Sequence, residues 1–171
     1  MKQLRALSLC LLFSSVTFAA DLKVGDLAPG FTSTTDQGKK FSLSERKGQW
    51  TVLYFYPKAE TPGCTTQACA FRDSINVIRA ENADIFGISA DTVAEQAAFR
   101  KNHNLNFTLL ADSDSKIIDL YGSKITGMNM SKRWTFIIDP ELKIRNIEKD
   151  VDPAKDAKRV AKQIHDLKSK K

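Results

Sequence analysis

The chain has 171 residues, 42% of them hydrophobic, with 26 Lys and Arg against 20 Asp and Glu and a formal charge of +6. That length and apolar content suit one domain with a real core, and argue against a disordered or multidomain chain. The basic excess gathers near the C-terminal end, at Lys155, Lys158, Arg159, Lys162, Lys168, Lys170 and Lys171, without interleaved aromatics. It reads as a solvated helix whose cations suit the C-terminal dipole, with no nucleic-acid partner.

Met1 to Ala20 has a cationic start (Lys2, Arg5), an apolar run from Leu7 to Phe18 and a small-residue end. This is the pattern of a secretory signal peptide, and the run falls short of the ~20 residues that span a membrane. Cleavage after Ala19 satisfies the small-x-small rule better than cleavage after Ala20; an uncleaved anchor is the alternative. Residues 21–171 then form one domain in the periplasm, with no stable membrane association. Removing Lys2 and Arg5 leaves 24 basic against 20 acidic residues, or +4. Cys10 leaves with the leader, and two cysteines remain in a compartment that permits disulfides.

In chain order, Phe31–Thr34 and Lys40–Leu43 read as a hairpin turning at Asp36-Gln-Gly38, followed by a helical turn that ends at Gly48. Thr51–Tyr56 is a buried, aromatic-rich strand. A helix from Thr61 to Ala80 follows, closing near Asn82. Asp84–Ser89 is a strand, Asp91–Asn102 a helix with Asp91 or Thr92 as its cap, Phe107–Leu110 a strand and Asp114–Leu120 a short helix. Thr135–Ile138 and Lys143–Ile147 form a hairpin around Asp139-Pro140. Asp152-Pro153 opens the last helix, with Asp as cap. Strands alternating with helices predict an α/β sheet covered on both faces. There is no repeat or linker.

The stretch from Tyr54 to Asp73 carries the chemistry. Thr61 is a favoured N-cap and Pro62 suits the first helical position. Cys64 falls in the first turn, where free N–H groups and the macrodipole favour a thiolate, the nucleophilic form. Cys64, Ala68, Phe71, Ile75 and Ile78 follow the spacing of one buried face; Cys69 falls with Arg72, Asp73 and Asn76 on the polar side. Residues five apart in a helix have Cα atoms about 8.7 Å apart. A disulfide needs roughly 4.4–6.8 Å. The pair therefore cannot bridge while the helix is intact.

Pro57, Thr61 and Cys64 match a P-x-x-x-T-x-x-C motif, and the segment resembles the active site of a peroxiredoxin. The C-x4-C pairing is similar to the PrxQ, or bacterioferritin comigratory protein, subfamily. The resemblance continues through Phe86–Asp91, Phe107–Asp112, Leu120-Tyr-Gly122 and Arg133–Asp139, and spans roughly Leu22 to Leu167. It implies a thioredoxin-like fold, a central mixed sheet with helices on both faces, and a thiol-dependent peroxidase that reduces hydrogen peroxide and organic hydroperoxides. It also implies the roles. Cys64 attacks the O–O bond and becomes a sulfenic acid, and Cys69 resolves it as an intramolecular disulfide. Thr61 and Arg133 place donors at the reacting oxygens, and Pro57 shields the thiolate. No cofactor or metal is required. The implied partners are a peroxide and a thioredoxin-like or other dithiol protein of the envelope, acting on a monomer or weak dimer. Trp134, Ser115 and Leu142 depart from the family pattern, the first where a small residue often stands and the others at turns that often hold Gly.

Other readings compete for the same residues. A periplasmic thioredoxin-like thiol-disulfide oxidoreductase would use C-x-x-C and usually a cis-Pro loop, whereas this chain has no Pro between Pro62 and Pro140. A copper metallochaperone would use C-x3-C with a distant His. His103 and His165 stand among polar residues, as solvent-facing side chains do.

Overall fold

The computed structural model describes residues 21–169, so the expected leader over residues 1–20 lies outside the described residues. Seven strands form one mixed sheet: β1 (Thr32–Thr35), β2 (Lys40–Ser42), β3 (Trp50–Phe55), β4 (Ala83–Ser89), β5 (Thr108–Ala111), β6 (Trp134–Ile138) and β7 (Ile144–Glu148). Their spatial order is β2-β1-β5-β4-β3-β6-β7. β3, β4 and β5 run parallel, as connections through helices require, and β6 lies antiparallel to β3. Helices α1 (Pro62–Ala80), α2 (Val93–Asn102) and α4 (Asp156–Ser169) lie over one face; α3 (Lys116–Leu120) and a 3-10 turn at Leu43–Arg46 lie over the other. The expected α/β sheet, covered on both faces, is the one observed.

β3 shows why the sheet is central. All six of its residues are buried, as a strand covered on both faces requires. Trp50, Val52 and Tyr54 point into the core beneath α1 and α4, and Leu53 and Phe55 into the core beneath α3. Tyr54 sets a steric condition on its neighbour: a Cβ at Gly87, its register partner on β4, would lie 2.6 Å from the phenolic oxygen. Only glycine leaves room for that ring.

α1 buries Cys64, Gln67, Ala68, Phe71, Ile75 and Ile78, the apolar face expected from its periodicity with Gln67 added. Beyond its first two turns the helix is moored. Phe71 packs on Tyr54 at 4.8 Å between ring centroids. Arg72 donates to the His103 carbonyl at 2.8 Å, and the Asn106 amide donates to the Arg72 carbonyl at 3.1 Å. At the far end Lys168 and His165 of α4 hold Glu81. Asn82 takes the left-handed conformation that closes the helix, with φ of 55°.

The starts of the last helix and of α3 are among the boundaries that differ from the sequence reading. The last helix begins at Asp156; Asp152 caps a turn over Pro153–Lys155 through its bond to the Ala154 N–H at 3.0 Å. α3 starts at Lys116 because Ser115 is left-handed, with φ of 57°. Leu142, the other departure at a glycine-rich turn, is left-handed too, with φ of 62°.

Asp112 supplies the cap that Ser115 does not, accepting from the N–H groups of Ile117 at 3.1 Å and Ile118 at 2.8 Å. Burial pushes its carboxyl up to about 6, with the Asp114 charge adding to the effect. The folded protein thus binds this proton more tightly than the unfolded chain. Its contribution to stability is full below about pH 4, the ordinary aspartate value, and is lost as pH rises through about 6. In urea unfolding from pH 4 to 7, the stability of the wild type relative to Asp112→Asn is expected to fall across that window.

Candidate active site

The loop Tyr56–Thr61 carries the chain from β3 to the start of α1 and is held by one buried carboxylate. Asp91 accepts from the Ala59 N–H at 2.8 Å, from Lys58 Nζ at 2.8 Å and from Ser89 Oγ at 2.7 Å. A buried charge with three donors is well compensated, and it fixes the path of Pro57 and Thr61. Of the two caps the sequence allows for α2, Asp91 and Thr92, Thr92 is the N-cap and forms a capping box with Glu95. At Glu60 the loop takes a left-handed turn, with φ of 64°. Its carboxylate lies 2.7 Å from His103 Nε2 and accepts from Asn102 Nδ2 at 2.9 Å. These contacts, His103 first, hold the Glu60 carboxyl below the usual range.

Thr61 is the N-cap residue of α1 by backbone conformation, with Pro62 following it, but its side chain caps nothing. The hydroxyl instead donates to the Lys58 carbonyl at 2.8 Å, which leaves its oxygen lone pairs free to accept. Pro57 is half-buried at the start of the loop.

Cys64 is 1% exposed. Its Sγ accepts from a guanidinium nitrogen, NH2, of Arg133 at 3.4 Å. Arg133 reaches this point through strand register. Trp134 pairs with Phe55, so the residue before it flanks the loop after β3, on the α1 side of the sheet. The other terminal nitrogen, NH1, donates to Gln67 Oε1 at 2.8 Å. Gln67 has no exposed surface and went unmarked in the sequence, where a glutamine one turn after a cysteine has no special meaning. Its position on the Cys64 face of the helix is the signal that could have found it. Cys69 is half-buried, less open than its polar helical neighbours suggest, and both thiols are unpaired.

Gly63 makes the approach of Arg133 possible. A Cβ there would sit 3.1 Å from NH2 of Arg133 and 3.9 Å from Pro153 Cγ. Gly63→Ala should stabilise the isolated helix by up to ~1 kcal/mol yet displace the guanidinium by a few tenths of an ångström. If Cys64 attacks peroxide, as the resemblance implies, the expected result is a slower reaction alongside an unchanged or raised melting temperature. Stopped-flow kinetics and thermal denaturation read the two effects separately.

Beneath the thiol, Tyr54 and Tyr56 stack with ring centroids 5.4 Å apart. Burial pushes both phenols well above their ordinary range, and the nearby Cys64 adds to the shift. They form a neutral floor for any charge on the sulfur. Among the described residues no group of three or more His, Cys, Asp or Glu could hold a metal ion, and no helix is long and apolar enough to cross a membrane. The structure thus brings Cys64 and Arg133 into contact and sets Pro57 and Thr61 on the adjoining loop. Cys69 stands one and a half turns along α1, on another face.

The AhpC/TSA family matches residues 24–147. Peroxiredoxin Bcp of Escherichia coli is 38% identical over 135 residues, covering 75% of this chain and 86% of that protein. Among solved structures, peroxidoxin BcpB from Mycobacterium tuberculosis superposes with a TM-score of 0.80 at 30% identity, covering 85% of this chain and 98% of that one. A PrxQ from Xylella fastidiosa gives a TM-score of 0.81 at 26% identity, over 87% of this chain and 99% of that one. The chain belongs to the AhpC/TSA family and is a peroxiredoxin of the Bcp/peroxiredoxin Q type.

Proposed function

We propose that this thiol-dependent peroxidase reduces hydrogen peroxide and organic hydroperoxides through Cys64 and Cys69. The observation that carries the reading is the buried Cys64 sulfur at the start of α1, 3.4 Å from the Arg133 guanidinium. The thiolate attacks one peroxide oxygen, and the O–O electron pair leaves on the other oxygen, which takes a proton and departs as water or alcohol. Arg133 and the free N–H groups of the helix start stabilise the moving charge, and Thr61 Oγ1 can accept a hydrogen bond from the peroxide. Pro57 keeps bulk water from the sulfur. The Cys64 sulfenic acid is then attacked by the Cys69 thiolate, which expels hydroxide (water once protonated) and leaves a disulfide. A dithiol protein returns both thiols by exchange. No step calls for a second copy of the chain, so a monomer suffices.

The test is peroxide consumption by reduced protein, without added metal, followed by peptide mapping. Loss of peroxide with a Cys64–Cys69 linkage is expected. Exchange of disulfides with a dithiol substrate and no peroxide loss would favour a thioredoxin-like oxidoreductase instead. The signal-like pattern of the first twenty residues supports a role in antioxidant defence in the cell envelope, with a reductant of the same compartment. Mass spectrometry of envelope protein beginning at Ala20 or Asp21 is the expected result. An intact Met1 would remove the export.

A further inference from the structure

The guanidinium at Cys64 is held from behind. Arg133 donates to Gln67 Oε1 at 2.8 Å, and Gln67 Nε2 donates to Asp156 Oδ2 at 2.7 Å. Gln67 and Asp156 are 0% and 1% exposed. The amide has one orientation that satisfies both neighbours, because a guanidinium only donates and a carboxylate only accepts. Asp156 is itself immobilised: Thr135 Oγ1 donates to Oδ2 at 2.7 Å, and Arg159 donates to Oδ1 from Nε at 3.1 Å and from NH2 at 2.5 Å. Arg159 is braced in turn by Asn146 at 3.1 Å and Gln163 at 2.6 Å.

We propose that Asp156, on the C-terminal helix, is a positioning residue for peroxide reduction: it orients Gln67, and Gln67 aims Arg133 at Cys64. The proposal rests on the role given to Arg133 above. A terminal helix that served only to cover the sheet would bury an apolar residue here. This one instead spends its first turn on a carboxylate committed to four donor atoms. An arginine that must meet a sulfur and a peroxide oxygen together needs its plane fixed, since a long side chain otherwise spreads over many rotamers.

The test exchanges donor and acceptor across the Gln67–Asp156 contact. Asp156→Asn sets an amide donor against the Gln67 donor and is expected to slow the second-order reaction with peroxide by about tenfold. Gln67→Glu alone brings two carboxylates together and should also slow it. In the double variant Gln67→Glu/Asp156→Asn, the new amide donates to the new carboxylate and to the Thr135 hydroxyl oxygen. Arg159 keeps the remaining amide oxygen, and most of the rate returns. In an Arg133→Leu background, Asp156→Asn should have no further effect, because its action passes through Arg133. Equal slowing in both backgrounds, or no recovery in the exchanged pair, would overturn the proposal. If Asp156→Asn alone does not fold, Gln67→Glu against the exchanged pair asks the same question. An Arg133→Leu protein of normal rate would instead remove the role of Arg133, a distinguishable result.

Discussion

Cys69→Ser protein is expected to reduce one equivalent of hydrogen peroxide and then stop, with Cys64 passing to sulfinic acid under excess peroxide, whereas Cys64→Ser reduces none. The first chemical step needs only the Cys64 thiolate and its donors, all present without Cys69. Turnover needs a second sulfur, and without it the sulfenic acid remains open to further oxidation. α1 is continuous from Pro62 to Ala80, with both cysteines inside it. Five residues of regular helix hold their Cα atoms about 8.7 Å apart, beyond disulfide range. Forming the bond must therefore unwind the first turns. Hydrogen exchange at Thr65–Phe71 should be slow in the reduced protein and faster in the disulfide form. Equal protection in both states would remove the unwinding step, and a fully active Cys69→Ser enzyme with a protein dithiol would remove the resolving role.

Arg133→Leu should lower the rate of peroxide attack by about 10²-fold or more, the scale on which loss of one oxyanion donor acts. The side chain supplies the charged donor nearest the sulfur, at 3.4 Å, and a leucine offers none. Arg133→Lys should recover little, because one ammonium cannot bond Gln67 and the sulfur in the same fixed plane. The reading is single-turnover kinetics with limiting peroxide. A rate within threefold of wild type would assign the charge stabilisation elsewhere.

Much of this site is legible in the sequence because it is local. Thr61, Pro62 and Cys64 lie within one helical turn, and helical period alone separates the faces of Cys64 and Cys69. What periodicity cannot show is a polar residue that is buried because a distant partner satisfies it. Gln67 interrupts an apolar face, and only Arg133 and Asp156, 66 and 89 residues away in sequence, explain it. Asp91 is obscure for the same reason: the sequence leaves Asp91 or Thr92 as the cap of α2 and gives no sign that the Asp91 carboxylate reaches back 32 residues to Ala59. The last helix reads as opening at Asp152-Pro153 because that pair is a strong start signal. Asp152 instead caps a turn, and the helix follows at Asp156, whose side chain faces inward.

The moorings at Phe71 and Arg72 have a bearing on how the enzyme recovers. In the proposed cycle, unwinding between the two cysteines would stop where Phe71 packs on Tyr54 and where Arg72 and Asn106 exchange hydrogen bonds with neighbouring backbone. The proposed disulfide form would thus retain an ordered seed of helix running on to Ala80. Starting a helix is the costly event, and lengthening one proceeds in about a nanosecond per residue. Once the donor has reduced the disulfide, the missing turns grow back by elongation alone. Reactivation should then follow the concentration of the reductant, with no refolding lag of its own.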